Sequence, residues 1–184
     1  MTNMLSDKYI QKLIRQVERS PLDLCERLQL RPSHDQTHFF AACKLRNEHD
    51  AARTPDTTRA AGILAVWKAL SDENAQVLVL SPTIRQVEPF FEWIGGKVRH
   101  SDSVLSVVMN IDGKRRIHFG PNRNRFIKHV SPRPEAFMGY HSRPLTGIII
   151  DPGCTDTLDY TEAIAAFETQ IRQSGPDHLL IRLW

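Results

Sequence analysis

No stretch of the chain approaches the roughly 18 consecutive apolar residues that a membrane-spanning helix needs, so a span of that kind is excluded. The segment Met1 to Arg15 is polar and lacks the apolar centre of a signal peptide. A cytoplasmic location and no membrane partner are therefore expected. Cysteine is scarce. Cys25, Cys43 and Cys154 are far apart and odd in number, which argues against a disulfide framework and against a zinc ribbon. Each is expected to be a small buried or half-buried side chain. Internal repeats and low-complexity segments are absent. Acidic residues are nearly missing from one region. Between positions 97 and 133, only Asp102 and Asp112 oppose Lys97, Arg99, Lys114, Arg115, Arg116, Arg123, Arg125, Lys128 and Arg133. That stretch carries +7, and because the whole chain carries +3, the remainder carries −4. A local basic concentration attracts phosphates or acidic protein surfaces.

What is present suffices for one α/β domain. At 184 residues, 41% of them hydrophobic, the chain can bury one sizeable core but not two. Residues 1–21 are expected as an N-terminal helix preceding a core over 22–184. Asp7 to Arg19 carries an apolar stripe at helical spacing. Leu22 to Leu28 and Asp35 to Asn47 read as further short helices, the latter turning Phe39, Phe40 and Cys43 inward. Glu48 to Arg59, with Pro55 and small polar residues, reads as loop. Ala60 to Leu70 is a strong apolar helix. Gln76 to Leu80 (QVLVL), Thr146 to Ile150 (TGIII) and His178 to Leu183 (HLLIRL) are runs of the kind found in strands buried within parallel sheets. Ile84 to Trp93 reads as helix with Pro89 a kink site. Leu158 to Gln173 reads as helix, capped by Asp156 or Thr157. Val104 to Met109 and Arg115 to Phe119 alternate across Asp112-Gly113, a hairpin turn signal, and Arg125 to Val130 follows as a third short strand. Buried strands alternating with helices predict a mainly parallel sheet covered on both faces, with the basic hairpin as an insertion or edge.

Five segments, in this order, carry a resemblance: SHDQTHFF at 33–40, ARTPDTTRAAGILAVWKAL at 52–70, QVLVLSPTIRQVEPFF at 76–91, FMGYHSRPLTGIIIDPG at 137–153 and HLLIRLW at 178–184. Together they resemble the ATPase domain of phage terminase large subunits, over roughly residues 22 to 184. The resemblance implies a three-layer, P-loop NTPase-like α/β sandwich. It also implies a phage or mobile-element protein working inside a bacterial host cell. The nuclease domain that follows the ATPase domain in such terminases is not expected here, since the chain stops at Trp184.

The departures from that pattern fall on the residues that carry its chemistry. A P-loop works because glycines let backbone N–H groups wrap the phosphates, a lysine neutralises oxygens, and a Ser/Thr hydroxyl binds Mg²⁺. Aligned on Arg53, the Gly-Lys-Thr positions are Asp56, Thr57 and Thr58, and no glycine lies between 51 and 61. The strand-end Asp-Glu pair becomes Asp151 and Pro152, and proline can neither accept a proton nor position water. The resemblance therefore implies a vestigial nucleotide site of Gln36, Arg53, Thr57, Thr58 and Asp151, with no catalytic residue, no metal and no required cofactor, although ATP and Mg²⁺ are not foreign to the scaffold. Each residue has a plainer reading. Gln36 is either an adenine contact or an exposed helix glutamine. Arg53 is either a phosphate contact or an ion-paired surface arginine. Asp151 is either a metal ligand or a carboxylate capping the turn that follows.

Two constellations remain. His34 and His38 are spaced i, i+4 on one helix face, but HDQTH lacks the glutamate of the zinc-protease motif and shows no third ligand. Lys114, Arg116 and His118 alternate with Arg115, Ile117 and Phe119. With Arg123, Arg125 and Lys128 they make either a phosphate-contacting surface or a solvated hairpin. The functions expected are a pseudo-ATPase that binds DNA, phage packaging proteins or a host nucleic-acid-handling complex; an inhibitor of a bacterial defence complex; or a weak packaging ATPase. DNA and an acidic protein surface are the partner chemistries that fit the charge.

Overall fold

In a computed structural model of the chain, the described residues are 11, 12, 15, 20–72, 74–113, 115–120, 124–140, 145–155 and 158–184. Short runs of β-branched and leucine residues form the middle of a sheet that has seven strands among these residues, in the order β1-β7-β6-β2-β5-β4-β3. The strands are β1 (Glu48–Ala51), β2 (Gln76–Leu80), β3 (Met109–Asp112), β4 (Arg116–Phe119), β5 (Arg125–Val130), β6 (Gly147–Ile150) and β7 (Leu179–Leu183). The five from β1 to β5 in that order run parallel, whereas β4 and β3 return antiparallel at the edge. Helices cover both faces, so the three-layer, mainly parallel α/β architecture expected from the sequence is the observed one.

Alternation along each strand divides the core in two. Val77, Val79, Ile117, Ile127, Ile149 and Ile181 face one layer of helices. That layer holds α1 (Pro21–Arg27), α2 (His34–Arg46), α3 (Pro55–Ser71), α4 (Ile84–Trp93) and α5 (Ser103–Val108). Leu78, Leu80, Phe126, Ile148, Ile150 and Leu180 face the other layer, chiefly Ile164, Phe167 and Ile171 of α7 (Leu158–Gln173), with α6 (Pro134–Met138) beside it. The middle of helix α3, Ala60 to Trp67, is apolar all round. Ala60 to Val66, Ala69 and Leu70 are all buried, as expected of a helix enclosed between the sheet and its neighbours rather than lying on a surface.

Three local expectations change. Glu48 to Arg59 is not a loop: it contains edge strand β1 and the first turn of α3. The tetrapeptide Glu48-His49-Asp50-Ala51 has no β-branched residue, and pairing with β7 holds it extended. Charge reinforces the pairing, because Arg182 of β7 binds Asp50 at 3.0 Å and Glu168 at 2.6 Å. Arg172 of α7 binds Glu48 at 2.8 Å. Pro55 punctuates nothing; it occupies the first helical position after Thr54, where its missing N–H costs nothing. Val104 to Val108 is helix rather than strand. The Asp102 carboxylate accepts from the N–H groups of Val104 and Leu105, and Leu105 and Val108 turn inward while Val107 stays exposed. The hairpin itself turns at Gly113, whose φ of +60° suits a residue without a side chain. Of the helix expected over Asp7 to Arg19, only Gln11, Lys12 and Arg15 are described, and they are helical. Asp156 and Thr157 lie outside the described residues. Leu158 to Gln173 and Ile84 to Trp93 form at the expected bounds, the latter running on past Pro89 into a π-helical turn, Ile94–Val98.

Phe167 is fully buried, so Phe167→Ala is expected to cost about 3–5 kcal/mol in denaturant unfolding. The Glu48 carboxyl, bonded by Arg172, is lowered from an ordinary 4.5 to about 2. A depressed carboxyl contributes stability that is present above its unfolded value and lost as pH falls through its folded one. Melts taken between about pH 5 and about pH 2 should therefore show a steeper acid loss for the natural chain than for Glu48→Gln.

Candidate functional site

In open parallel sheets, ligands bind outside the carboxyl ends of the strands. That end of this sheet is defined by Ser81 after β2, Asp151 after β6 and the first turn of α3. Burial of α3 fixes where its N-terminus stands, and the sequence there forms a closed cap. Thr54 Oγ1 accepts from the Thr57 N–H at 3.1 Å, and Thr57 Oγ1 accepts from the Thr54 N–H at 2.8 Å. This is a reciprocal capping box. Thr57 Oγ1 lies 2.7 Å from the Ala52 carbonyl, which accepts from it. The Thr58 N–H reaches the Thr54 carbonyl at 2.9 Å, and the Arg53 N–H reaches the Trp184 carbonyl at 2.7 Å. Pro55 has no N–H. Backbone donors that a phosphate cradle would draw on are thus engaged with protein acceptors. Thr57, at the position where the resemblance places a lysine, is a capping residue.

Gln36 is consumed in the same manner. Its Oε1 accepts from the Ser33 N–H at 3.0 Å in the capping box of α2, and its Nε2 donates to the Asp56 carbonyl at 3.2 Å. It ties α2 to the first turn of α3 and borders a groove of about 880 Å³ with Phe39, His49, Ala52 and Thr57.

Arg53 crosses the strand ends. Its Nη2 donates to the Gln86 carbonyl at 2.7 Å and lies 3.3 Å from Asp151 Oδ2. Asp151 is buried. Burial pushes its carboxyl up, and the Arg53 charge and the Gly153 N–H, 3.4 Å from Oδ1, pull it back. The space bounded by Arg53, Thr58, Gln86, Phe90 and Asp151 amounts to about 10 Å³, enough for at most about one water. A larger cleft, about 420 Å³, opens beside it between α3 and α4. Arg53, Thr58 and Arg59 line it together with Phe90 and Trp93. Arg53, Thr57, Thr58 and Asp151 are therefore gathered at one sheet end, with Gln36 reaching them through Asp56. Pro152 begins a short 3₁₀ turn, Pro152–Thr155, in the place of the glutamate. Among the described residues, no group of three or more His, Cys, Asp or Glu side chains is arranged to hold a metal ion.

Three residues of this end escape the sequence reading. Gln86 Oε1 accepts from the Thr83 N–H and from Ser81 Oγ, at 3.1 and 3.0 Å. A side chain on Gly153 would meet Gln86 Nε2 at 2.5 Å, so glycine there lets the turn after Asp151 close on α4. His129 is buried, with Nε2 3.0 Å from the Ser81 carbonyl. Burial holds its imidazole below the ordinary range, hence neutral at pH 7, with the Nε2 proton donated to that carbonyl. The spacing Thr83-x-x-Gln86 was a legible capping signal; nothing local marks His129.

The basic residues divide rather than share one surface. Arg116 sits directly opposite Lys128, and Phe119 opposite Arg125, which places Arg116 and Lys128 on one face and Arg125 on the other. His118 is buried, not solvated as alternation suggested. The guanidinium of Arg116 stacks 4.6 Å from the Phe126 ring centre, and Lys128 Nζ donates to Tyr140 Oη at 2.7 Å. Each like-charged neighbour is thereby given its own partner. Arg115 is exposed. Lys114 and Arg123 lie outside the described residues. The turn carrying exposed Lys97 reaches the same edge, because Gly95 packs against Ile111 of β3.

Removing the Arg53 guanidinium should leave the buried Asp151 carboxylate without its counter-charge. Arg53→Ala is expected to destabilise by about 1–3 kcal/mol, below the cost for a fully buried pair because the Arg53 side chain is 36% exposed. Asp151→Asn should cost less, since it removes the charge that burial already disfavours. Urea unfolding of both single variants and the double variant checks the order and the coupling.

No family model matches the chain, and no curated protein matches it. Its fold is similar to two solved structures, the large terminase ATPase domain of Thermus phage P74-26 and an arginine-to-alanine mutant of that domain. The TM-scores are 0.58 and 0.61, and each is 18% identical over 86% of this chain and 67% of the other. The chain has the fold of a phage large-terminase ATPase domain.

Proposed function

We propose that this chain is a terminase-like pseudo-ATPase: a scaffold that has given up nucleotide hydrolysis and acts by binding DNA or a complex that handles it. The observation that carries the reading is the Arg53–Asp151 pair. In a working site the strand-end carboxylate serves Mg²⁺ and basic groups face phosphates. Here the carboxylate and the cation satisfy each other at 3.3 Å, and about 10 Å³ is left between them and their neighbours. The engaged N–H groups of Arg53, Thr54, Thr57 and Thr58 point the same way. These residues as arranged do not fit a magnesium–triphosphate, so no hydrolytic step is assigned to them.

Binding is supported by charge placement. Exposed Arg115 stands just before β4, Arg116 and Lys128 are neighbours on one face of β4 and β5, and exposed Lys97 reaches the β3 edge beside them. A phosphate backbone or an acidic protein surface complements such an edge. The two structures it resembles are ATPase domains of a phage terminase, which favours partners from DNA packaging or from host complexes that handle DNA.

Calorimetry of the chain with ATP and Mg²⁺ should register no binding, and ATP turnover should match the buffer blank. Turnover at a packaging-motor rate would overturn the pseudo-ATPase reading, as would micromolar binding lost in Arg53→Ala. Anisotropy with duplex DNA should give an affinity whose logarithm falls linearly with the logarithm of salt concentration. Arg115→Glu with Arg116→Glu should weaken it by at least about tenfold. A salt-independent affinity, or one untouched by the double reversal, would remove DNA and leave the acidic protein surface as the partner of this edge.

A further inference from the structure

His34 and His38 occupy the first two turns of α2, where a spacing of four residues stacks side chains on one face. Both are exposed. Their Nε2 atoms lie 3.2 Å apart. Two imidazole nitrogens bound to one tetrahedral zinc at 2.0–2.1 Å would stand about 3.3 Å apart. The rings now meet edge to face, 4.3 Å between centres at 64°, with one Nε2 donating to the other, so an ion would take the place of that proton and the exposed rings would turn to face it. On the far side of the His34 ring, Nδ1 lies 4.0 Å from Asp35 Oδ1. That is too long for a hydrogen bond, so the carboxylate adds negative charge beside the ring without fixing its tautomer.

We propose that His34 and His38 form a two-point chelate for a divalent transition metal such as Ni²⁺ or Zn²⁺, with water filling the remaining positions. No third His, Cys, Asp or Glu joins the pair among the described residues. Spacing alone, without a third ligand, does not make a closed site. The distance between the nitrogens suits an open, exchangeable site rather than a closed structural one. Imidazole selects nickel and zinc over magnesium, so this site is chemically distinct from the magnesium–triphosphate chemistry of the strand ends. It stands whether or not the pseudo-ATPase reading does.

The test is calorimetric titration of the tag-free full chain with NiCl₂, ZnCl₂ and MgCl₂. Nickel and zinc are expected to bind one to one and magnesium not at all. His34→Ala and His38→Ala should each weaken nickel binding at least about tenfold, the lower end of what losing even an outer-shell partner costs. His38→Gln keeps a polar, helix-compatible side chain without the imidazole and should lose the ion equally, with circular dichroism unchanged. His100→Ala, another exposed histidine, should change nothing. Absence of nickel binding, or nickel binding that survives both His34→Ala and His38→Ala, overturns the proposal.

Discussion

Burial of the middle of α3 on every side is the constraint from which the rest follows. A helix made of Ala60, Ala61, Gly62, Ile63, Leu64, Ala65 and Val66 has no polar face to offer water, so it must lie between the sheet and the outer helices. Gly62 allows Trp93 of α4 to approach within about 3.0 Å of where a side chain would begin. With the axis fixed, Thr54 and Arg53 have to stand at the carboxyl ends of the strands. Arg53 is then held there by three contacts: the Trp184 carbonyl, the Gln86 carbonyl and Asp151. The same placement that would present a phosphate-binding loop presents, with these residues, a self-capped helix and an internal ion pair.

Charge is distributed in opposite ways at the two sheet edges. At the β1 edge, Glu48, Asp50 and Glu168 are matched by Arg172 and Arg182. A strand of poor intrinsic propensity is kept in the sheet by that network. From β3 to β5, basic residues exceed acidic ones among the described residues. Arg116 and Lys128 are separated by aromatic and hydroxyl partners rather than by carboxylates. One edge therefore uses its charge internally, and the other leaves part of it facing outward. The proposed binding would draw on the second, while the histidine pair on α2 sits in a third place that belongs to neither.

The strand-end site was partly legible. Arg53, Thr57, Thr58 and Asp151 could be singled out from the order and spacing of their segments, and the fold brings them to one sheet end. What they do to one another could not be read, since an arginine at 53 and an aspartate at 151 meet only when β1 and β6 are brought into one sheet. Gln86 was signalled by Thr83 three residues earlier. His129 was not signalled at all, because a lone histidine in a strand carries no local mark of burial.

By itself the sequence determined the class and the layering: apolar runs of strand length can only be buried between helices, and the all-apolar α3 can only be central. It also determined that no glycine lies between 51 and 61 and that proline follows Asp151, because residue identity needs no coordinates. Tertiary structure alone decided that Glu48 to Ala51 is a strand, since its stability comes from β7 and Arg182 rather than from its own residues. It alone decided that the basic hairpin is split between faces, because strand register, not composition, sets which side chains are neighbours. The pairing of Arg53 with Asp151 was decided there too, by a distance of 3.3 Å between groups nearly a hundred positions apart.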